Sequence, residues 1–310
     1  MKKKFDLIII GGGPAGITAG IYGARENLDM LLITKNFGGQ IKRKAIDIEN
    51  YPGFEKISGK DLVEKFENHL KKFEIPVLME EVIKIKRKKQ FFSVLTKQKK
   101  EFQAVSVIIA SGTRHRRLKI NGEEKFIGKG VSYCAVCDGF LYKNKVVAII
   151  GGGNSAFETA LFLSKIAKKV YILERGAKVI ADKINQKLAK KAKNIKVCAN
   201  VILREIKGKS FVEAIEYEDI KTKKIKILKN DGVFIEAGNM PNSDFFRDLV
   251  DYNERKEIKI NAETGETSVK GLFSAGDVSD IEFKQIVIAA SAGAKAELNA
   301  SKYIQKQKRL

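Results

Sequence analysis

The chain contains two copies of one strand–turn–helix–strand pattern, and this repetition limits its fold more than any other feature. The first copy reads FDLIIIGGGPAGITAGIYGARENLDMLLIT, and the second reads VVAIIGGGNSAFETALFLSKIAKKVYILE. In each copy a short apolar run enters a glycine-rich turn, and an amphipathic helix and a second apolar run follow. Such units build parallel sheets covered by helices, so we predict an α/β fold.

The glycine-rich turns predict two dinucleotide sites. In such a turn one glycine permits a sharp bend, another lets the backbone approach a pyrophosphate, and a small residue lets the helix pack on the strand. The residues with these roles are Gly11, Gly13 and Gly16 in the first copy and Gly151, Gly153 and Ala156 in the second. The helix N-terminus offers N–H groups and a positive dipole end to the phosphates. Two such sites indicate one bound flavin and one exchangeable nicotinamide.

Length and composition agree with a two-domain globular protein. The chain has 310 residues, and domains average roughly 150 residues. A composition of 44% hydrophobic and 31% charged residues excludes a disordered or disulfide-dense chain. No apolar run approaches the roughly 18 residues that a membrane span needs, so we predict no membrane partner. Three cysteines cannot form a disulfide framework, and we expect a reducing, cytoplasmic location.

The formal net charge of +22 raises the question of nucleic-acid binding. The most basic stretch, residues 83–100, alternates apolar and basic residues and predicts half-buried strands with a solvated basic face. No aromatic stacking motif accompanies it. We therefore predict no nucleic-acid partner, although the charge suits acidic proteins and phosphate-bearing cofactors.

The segment VSYCAVCDGF, directly before the second glycine turn, contains the pair Cys134 and Cys137. A CxxC pair in a reducing compartment is either a dithiol/disulfide couple or half of a zinc site. The other candidate ligands are Cys198, His69 and His115, and they have no metal-ligand spacing. We therefore predict redox chemistry and no metal.

Asp138 directly follows the second cysteine. A partly desolvated carboxyl group at this position can protonate a leaving thiolate and later take the proton back. Its alternative role is to cap a helix that begins near Gly139.

The C-terminal part is predicted to complete the first nucleotide unit. GLFSAGDVSD forms a strand ending near Gly276 and Asp277, and KQIVIAASAGAKAELNA forms a helix rich in small residues. An acid there commonly meets the ribityl or phosphate region of a flavin, while an exposed turn carboxylate or a helix cap is the alternative. We predict a discontinuous FAD-binding domain, residues 1–115 and 242–310. The inserted NAD(P)H-binding domain, residues 116–241, carries the CxxC pair.

The motifs GGGPAG, FGGQ, ENYPG, CAVCDG, GGGNSA and AGD, in this order and spacing, resemble the low-molecular-weight thioredoxin reductase family over nearly the whole chain. The resemblance implies two Rossmann-like nucleotide-binding domains, the second inserted in the discontinuous first. It implies a homodimer with FAD, in which a nicotinamide reduces the flavin and the flavin reduces the Cys134–Cys137 disulfide. Cys137 would face the flavin, Cys134 would attack the disulfide of a partner protein, and Asp138 would donate the proton.

The resemblance also implies two sets of cofactor-binding residues. The FAD set contains Gly11, Gly13, Pro14, Ala15, Gly16, Gly39, Gln40, Asn50, Gly112, Gly276, Asp277, Lys284, Gln285 and Ile286. The nicotinamide set contains Gly151, Gly153, Asn154, Ser155, Ala156, Glu174 and Arg175. An acid for the adenosine ribose of FAD is expected after residues 31–33, where the chain has Thr34, Lys35 and Asn36. Hydroxyl or amide groups there would accept weaker hydrogen bonds than a carboxylate.

A second departure concerns the nicotinamide. NADPH-using members carry HRRxxxR after the second strand of the inserted domain, whereas this chain reads ERGAKVI from Glu174 to Ile180 and keeps only Arg175. A carboxylate at Glu174 can accept both ribose hydroxyls and repels a 2′-phosphate, which favours NADH over NADPH.

The electron acceptor is expected to be a separate protein. The flavoprotein of alkyl hydroperoxide reductase, a relative, also has an acid in place of the clamp but carries an N-terminal thioredoxin-like extension. This chain begins within a few residues of its first strand. We therefore expect thioredoxin or a glutaredoxin-like protein as the partner.

Three alternatives remain open. Some family members take electrons from reduced ferredoxin, an acidic protein that suits the +22 charge, although the retained GGGNSA favours a nicotinamide. An NADH-dependent reductase of a peroxiredoxin system is the second alternative. The third is a binding flavoprotein with an unused CxxC, which predicts salt-dependent nucleic-acid binding and no disulfide turnover.

Overall fold

The computed structural model describes residues 4–41, 48, 50–246 and 248–309, apart from the side chains of Val136 and Cys137. The chain forms two compact units. The first unit contains Met1–Arg114 and Met240–Leu310, and the inserted unit contains His115–Asn239. The observed junctions, 114/115 and 239/240, stand beside the 115/116 and 241/242 expected from the sequence. The ligand of each unit stays a prediction.

The described strands and helices are numbered in chain order. The strands are β1 (Lys4–Gly12), β2 (Met30–Phe37), β3 (Val77–Met79), β4 (Val82–Arg87), β5 (Phe92–Thr96), β6 (Glu101–Ile109), β7 (Thr113–His115), β8 (Val131–Ser132), β9 (Val146–Ile150), β10 (Lys169–Leu173), β11 (Ile195–Cys198), β12 (Val201–Lys207), β13 (Ala214–Asp219), β14 (Ile225–Lys229), β15 (Gly232–Ile235), β16 (Asn239–Pro241) and β17 (Leu272–Ser274). The α-helices are α1 (Pro14–Arg25), α2 (Gly59–Lys71), α3 (Ala135–Asp138), α4 (Asn154–Ser164), α5 (Lys183–Lys191) and α6 (Ile286–Lys308).

Each unit is built on a sheet whose central strand leads into a glycine turn. The first unit has a seven-stranded sheet in the order β3-β2-β1-β6-β5-β4, with β17 also paired to β6. Its pairs are parallel around β1 and antiparallel between β4, β5 and β6. The inserted unit has a parallel sheet, β11-β10-β9-β15-β8, and an antiparallel sheet, β12-β13-β14. Strands β7 and β16 form a further pair. The predicted α/β fold is confirmed.

The core of the first unit holds the first glycine turn in place. Ile8 and Ile9 of β1 are completely buried on opposite faces of the sheet. Burying a side chain of this size contributes about 1.5–3 kcal/mol. Helix α6 packs directly on α1, because a β-carbon on Gly293 would overlap the carbonyl oxygen of Ala15. The N-terminal end of α1 is therefore fixed against both the sheet and α6.

The core of the inserted unit has the same plan. Val147 and Ile149 of β9, Phe157 of α4 and Phe234 of β15 pack together and are almost fully buried. This packing fixes the beginning of α4 at the end of β9. Within the described ranges, no helix combines the length and the apolar character that crossing a bilayer requires.

A carboxyl group is buried between the helices of the first unit. Glu297 of α6 is fully buried, and its Oε1 accepts a hydrogen bond from the Ser301 hydroxyl at 2.8 Å. Its Oε2 has no hydrogen-bond partner within the described part of the chain. Burial raises the pKa of Glu297 to about 7, because the charged form loses its hydration. The folded state therefore favours the protonated carboxyl group.

We expect Glu297→Gln to remove a pH-dependent loss of stability. A raised pKa gives stability that is fully present below the ordinary carboxyl pKa and is lost as the pH rises through about 7. The variant should therefore gain about 2–6 °C in Tm over the unmodified protein at about pH 8, and much less at about pH 5. Thermal unfolding at both pH values measures this. The exposed Glu263→Gln is the control, and equal pH dependence in all three proteins would contradict the assignment.

Candidate active site

The CxxC segment lies in the inserted unit, where hydrogen bonds hold the backbone of Cys134. Strand β8 ends at Ser132, and helix α3 follows Cys134 directly. The N–H of Cys134 donates to the Ser132 hydroxyl at 3.0 Å, and that hydroxyl donates to the Cys134 carbonyl at 3.2 Å. The N–H of Asp138 donates to the same carbonyl at 3.2 Å. These bonds fix the backbone of the first cysteine relative to that of Asp138.

The cysteines of the inserted unit differ in redox state. Cys134 is disulfide-bonded and partly exposed, whereas Cys198 has a free thiol. Cys137 contributes its backbone to α3, but its side chain lies outside the described part of the structure. Burial raises the pKa of the Cys198 thiol, so this group stays protonated near neutral pH and is a poor nucleophile. Disulfide chemistry is therefore centred on Cys134.

Asp138 stands at the end of α3, and its side chain is partly buried. A 3₁₀ turn, Gly139–Tyr142, follows it, but the Asp138 carboxylate forms no capping hydrogen bond to this turn. The alternative role as a helix cap therefore lacks its defining contact. Burial, with smaller contributions from Asp138 and Asp231, raises the pKa of Tyr142 to about 12. The phenol stays neutral and adds no negative charge near Asp138.

A buried carboxylate anchors the residue that precedes Cys134. Glu123 accepts hydrogen bonds from two backbone N–H groups, at 2.9 and 2.5 Å, and from the Tyr133 hydroxyl. Burial and this hydrogen bond raise the pKa of the Tyr133 phenol. The Tyr133 ring also stacks on His115, with the ring centroids 5.7 Å apart. Sequence analysis missed Glu123, because no motif marks a carboxylate ten residues before its partner.

Two apolar side chains are exposed immediately after the CxxC motif. Phe140 is 67% exposed and Leu141 is 54% exposed. The residues on either side are packed inside the unit: Gly139 lies against Phe162, and the Tyr142 ring packs edge-on against a buried phenylalanine. The turn therefore presents two apolar side chains on a fixed backbone.

The first glycine turn forms an open cradle at the N-terminus of α1. A β-carbon on Gly11 would overlap the carbonyl oxygen of Ala110, and one on Gly16 would overlap that of Gly11, so both positions require glycine. Gly13 is the N-cap of α1, and a β-carbon on it would have no described atom within 4 Å. The first N–H groups of a helix have no partner within it. The cradle therefore has room and donors for a pyrophosphate.

Several other residues predicted for FAD lie around this cradle. A β-carbon on Gly39 would lie 3.8 Å from the Cα of Gly13, and one on Gly276 would lie 3.1 Å from the Cβ of Ala15. Pro14 opens α1, where its missing N–H costs nothing. Chain segments that are far apart in sequence thus meet at one helix N-terminus.

The predicted polar contacts of the flavin are held by side chains of the same unit. The Gln40 amide donates to the carbonyl of Thr113 at 3.3 Å and also to its hydroxyl. The Asn50 amide donates to Oε1 of Gln285 at 3.3 Å, and Gln285 is the N-cap of α6. Sequence analysis missed Thr113, although Gly112 beside it was predicted. A β-carbon on Gly112 would have no described atom within 4 Å.

Lys284 supports the loop that carries Asp277. Its ammonium group donates to the carbonyl of Asp277 at 3.3 Å and to that of Ser279, and it forms an ion pair with Glu257 at 3.1 Å. Asp277 is partly buried, and so is Ile286, the first residue of α6. The structure therefore places Lys284 against groups of its own unit, where it stabilises this loop.

The position of the missing ribose acid is occupied by a hydroxyl group. Thr34 is buried, and its Oγ1 donates to the carbonyl of Asn36 at 2.7 Å. A β-carbon on Gly12 would lie 2.8 Å from this Oγ1, so the hydroxyl stands directly beside the glycine turn. Lys35 forms an ion pair with Glu81 at 2.5 Å, which offsets its positive charge.

The second glycine turn repeats this arrangement in the inserted unit. A β-carbon on Gly151 would overlap the carbonyl oxygen of Glu236, and Ala156 is fully buried. Gly153 is the N-cap of α4, and Ser155 is partly buried in the first turn of that helix. The Asn154 side chain accepts a hydrogen bond from the N–H of Asp182 at 2.7 Å. The N-terminus of α4 therefore offers a second cradle for a dinucleotide.

Glu174 lies against the second cradle, as the glycine spacing predicts. Its Oε2 is 2.5 Å from the position of a β-carbon on Gly152, and its Oε1 accepts a hydrogen bond from the N–H of Gly176 at 2.6 Å. Arg175 is exposed. The carboxylate is thus positioned beside the turn with a free edge for further hydrogen bonds, as a ribose requires.

The residues of both cradles fit dinucleotides, and the described residues include no group of three or more metal-ligating side chains. The fit rests on open space over Gly13 and Gly153 and on the donors of the two helix N-termini.

Comparisons with known proteins agree with this arrangement. Residues 5–293 match the pyridine nucleotide-disulphide oxidoreductase family. A thioredoxin reductase from Buchnera aphidicola is 41% identical over 98% of this chain and 96% of its own length. The alkyl hydroperoxide reductase flavoprotein of Staphylococcus aureus is 37% identical over 98% of this chain and 60% of its own length. The crystal structure of thioredoxin reductase from Lactococcus lactis superposes with a TM-score of 0.93 at 36% identity, covering 97% of this chain and 99% of that one.

The family match spans both units, and the predicted pair of Rossmann-like nucleotide-binding units is confirmed. The chain belongs to the pyridine nucleotide-disulphide oxidoreductase family of flavoproteins and, within it, to the low-molecular-weight thioredoxin reductase group of oxidoreductases.

Proposed function

We propose that this chain is an FAD-dependent thioredoxin-disulfide reductase that prefers NADH and passes electrons through the Cys134–Cys137 disulfide to a thioredoxin or glutaredoxin-like protein. The observation that carries the proposal is Cys134. It is disulfide-bonded and partly exposed, and it lies directly before a nucleotide cradle in the same unit. A structural disulfide needs no such neighbourhood.

FAD is proposed for the first unit. When bound, it supplies two-electron transfer between a nicotinamide and a disulfide. The N-terminus of α1 would hold its pyrophosphate, and Thr34 would replace the acid at the adenosine ribose. Gln40, Asn50 and Asp277 would hold the rest of the cofactor, with Gln285 orienting the Asn50 amide.

NADH is proposed as the electron donor, because Glu174 carries a negative charge at the second cradle. Its carboxylate can accept hydrogen bonds from both hydroxyls of an unmodified ribose. A 2′-phosphate would place a second negative charge against it. The open cradle at Gly153 favours a nicotinamide over ferredoxin as the source of electrons.

The dithiol formed from Cys134 and Cys137 would reduce the partner by two exchanges. The Cys134 thiolate attacks one sulfur of the partner disulfide, which forms a mixed disulfide and releases a partner thiolate. Asp138 would supply the proton to this leaving thiolate. The Cys137 thiolate then attacks Cys134, which closes the intramolecular disulfide and releases the second partner thiolate. Two electrons pass to the partner.

Phe140 and Leu141 are proposed as the apolar contact for the partner protein. They are exposed beside the CxxC motif on a turn with a packed backbone, so docking costs little ordering entropy. A homodimer in the cytoplasm remains our proposal for the assembly and location, on the family resemblance and the small number of cysteines.

We expect the FAD-loaded protein to favour NADH over NADPH by at least about tenfold in kcat/KM. Glu174→Gln should lower kcat/KM for NADH by about 10–100-fold, because a buried edge of the ribose loses its charged acceptor. The exposed Glu254→Gln is the control. Anaerobic bleaching of the flavin by NADH, NADPH and reduced ferredoxin measures the preference, and faster bleaching by NADPH or by ferredoxin would contradict the proposed donor.

Cys134→Ser should retain flavin reduction by NADH and lose at least about 1,000-fold in thioredoxin reduction, because the attacking sulfur is gone. Flavin bleaching and thioredoxin turnover, measured on one preparation, separate the two steps. Thioredoxin turnover that survives this substitution would refute the proposed route.

Phe140→Ala should raise KM for thioredoxin about tenfold and leave flavin reduction by NADH unchanged. The matched control is Phe211→Ala, which removes a ring of similar exposure, 63% against 67%, elsewhere in the inserted unit. Equal effects of the two substitutions on KM would argue against a docking role for Phe140.

A further inference from the structure

Ile180 lies on the segment between β10 and α5, and its side chain is 86% exposed. This is the largest exposed fraction of any large apolar side chain in the described ranges. A single exposed aliphatic residue is ordinary on a protein surface, so exposure alone says little. The geometry around Ile180 says more.

The backbone of this segment is tied to the second glycine turn by three hydrogen bonds. The N–H groups of Ile180 and Ala181 both donate to the carbonyl of Gly152, at 2.9 and 3.0 Å. The N–H of Asp182 donates to the side chain of Asn154 at 2.7 Å. Ile180 is therefore held at the cradle and does not hang from a loose loop.

The Ile180 side chain borders the open space over Gly153. Its Cγ1 and Cδ1 lie 3.9 and 4.0 Å from the position of a β-carbon on Gly153, and no other described atom lies within 4 Å of that position. A ligand group that entered this space from the N-terminus of α4 would contact an aliphatic surface.

The opposite character is found at the neighbouring glycine. The Glu174 carboxylate lies 2.5 Å from the position of a β-carbon on Gly152. The cradle is thus bordered by a hydrogen-bond acceptor at Gly152 and by an apolar side chain at Gly153. A phosphate gains nothing from an aliphatic neighbour, whereas the flat face of an adenine ring gains by burying apolar area against it.

We propose that Ile180 is a specificity-determining residue that packs on the adenosine part of the nicotinamide donor. This inference rests on the proposed function, because it names a further contact of the same donor. Ile180 replaces a charge-dependent contact with a hydrophobic one. Adenosine without a 2′-phosphate keeps this contact, and a 2′-phosphate finds no cation in the Ile180 side chain.

A different role for Ile180 would involve the next helix. Ile184 and Leu188 of α5 are also exposed, at 72% and 46%, and follow Ile180 at intervals of four residues. If this row bound a protein, Ile180 and Ile184 would behave alike. No side-chain carbon of Ile184 is among the atoms near Gly153. Ile184→Ala is therefore the matched control.

The test measures equilibrium binding without turnover. Isothermal titration calorimetry follows ADP-ribose and 2′-phospho-ADP-ribose binding to the oxidised, FAD-loaded protein at low and high salt. Ile180→Ala should weaken ADP-ribose binding about tenfold at both salt concentrations, and Ile184→Ala should change it less than about twofold. Ile180→Arg should strengthen 2′-phospho-ADP-ribose binding at low salt, and this gain should fall at high salt.

The outcomes separate this inference from the proposed donor. If the unmodified protein prefers ADP-ribose but Ile180→Ala binds it equally well, the role of Ile180 is overturned and the NADH proposal stands. Equal losses in Ile180→Ala and Ile184→Ala would also overturn it. If the unmodified protein prefers 2′-phospho-ADP-ribose or binds neither compound, the proposed donor fails as well.

Discussion

Both nucleotide cradles depend on one steric constraint. The backbone between strand and helix must approach the end of a neighbouring chain segment more closely than a β-carbon permits. Gly11 meets the carbonyl of Ala110 in the first unit, and Gly151 meets that of Glu236 in the inserted unit. This close approach places the N-termini of α1 and α4 at the ends of the central strands β1 and β9. The N–H groups and dipoles of two helices then face open space, where phosphates bind.

The inserted unit combines two kinds of surface that serve one electron route. Around Cys134, hydrogen bonds from Ser132 and Asp138 fix the backbone, and Glu123 anchors the preceding tyrosine. Exposed apolar side chains follow the cysteine pair and suit a protein partner. At the second cradle, charge and apolar surface replace the basic clamp of NADPH-using relatives. The rigid backbone matters in both places, because a reacting sulfur and a bound donor both need fixed positions.

Much of the fold could be predicted from local sequence patterns. The glycine turns, β1, α1, β9 and α4 follow from apolar periodicity and from spacing within about 30 residues. The contacts that support the site could not be predicted in this way. Asn50 meets Gln285 across 235 residues of sequence, and Gln40 meets Thr113 across 73. Such pairs depend on how the whole unit packs, and no short motif records them.

Buried charge was also beyond the sequence pattern. The segment around Glu297 reads as an ordinary amphipathic helix, and only the close packing of α6 on α1 shows that this carboxyl group is buried. The exposed position of Ile180 has a similar origin. The sequence shows that an aliphatic residue replaces an arginine, but the hydrogen bonds to Gly152 determine where its side chain lies.

The central claim is that electrons from a nicotinamide reach the Cys134–Cys137 pair. It is tested most directly by counting thiols. FAD-loaded protein is mixed anaerobically with NADH, denatured and alkylated, and the labelled cysteines are identified by peptide mass spectrometry. Before NADH is added, the account predicts a label on Cys198 alone, which serves as the internal control. After NADH, it predicts labels on Cys134 and Cys137 as well. A bleached flavin with no new label on these two cysteines would contradict the account.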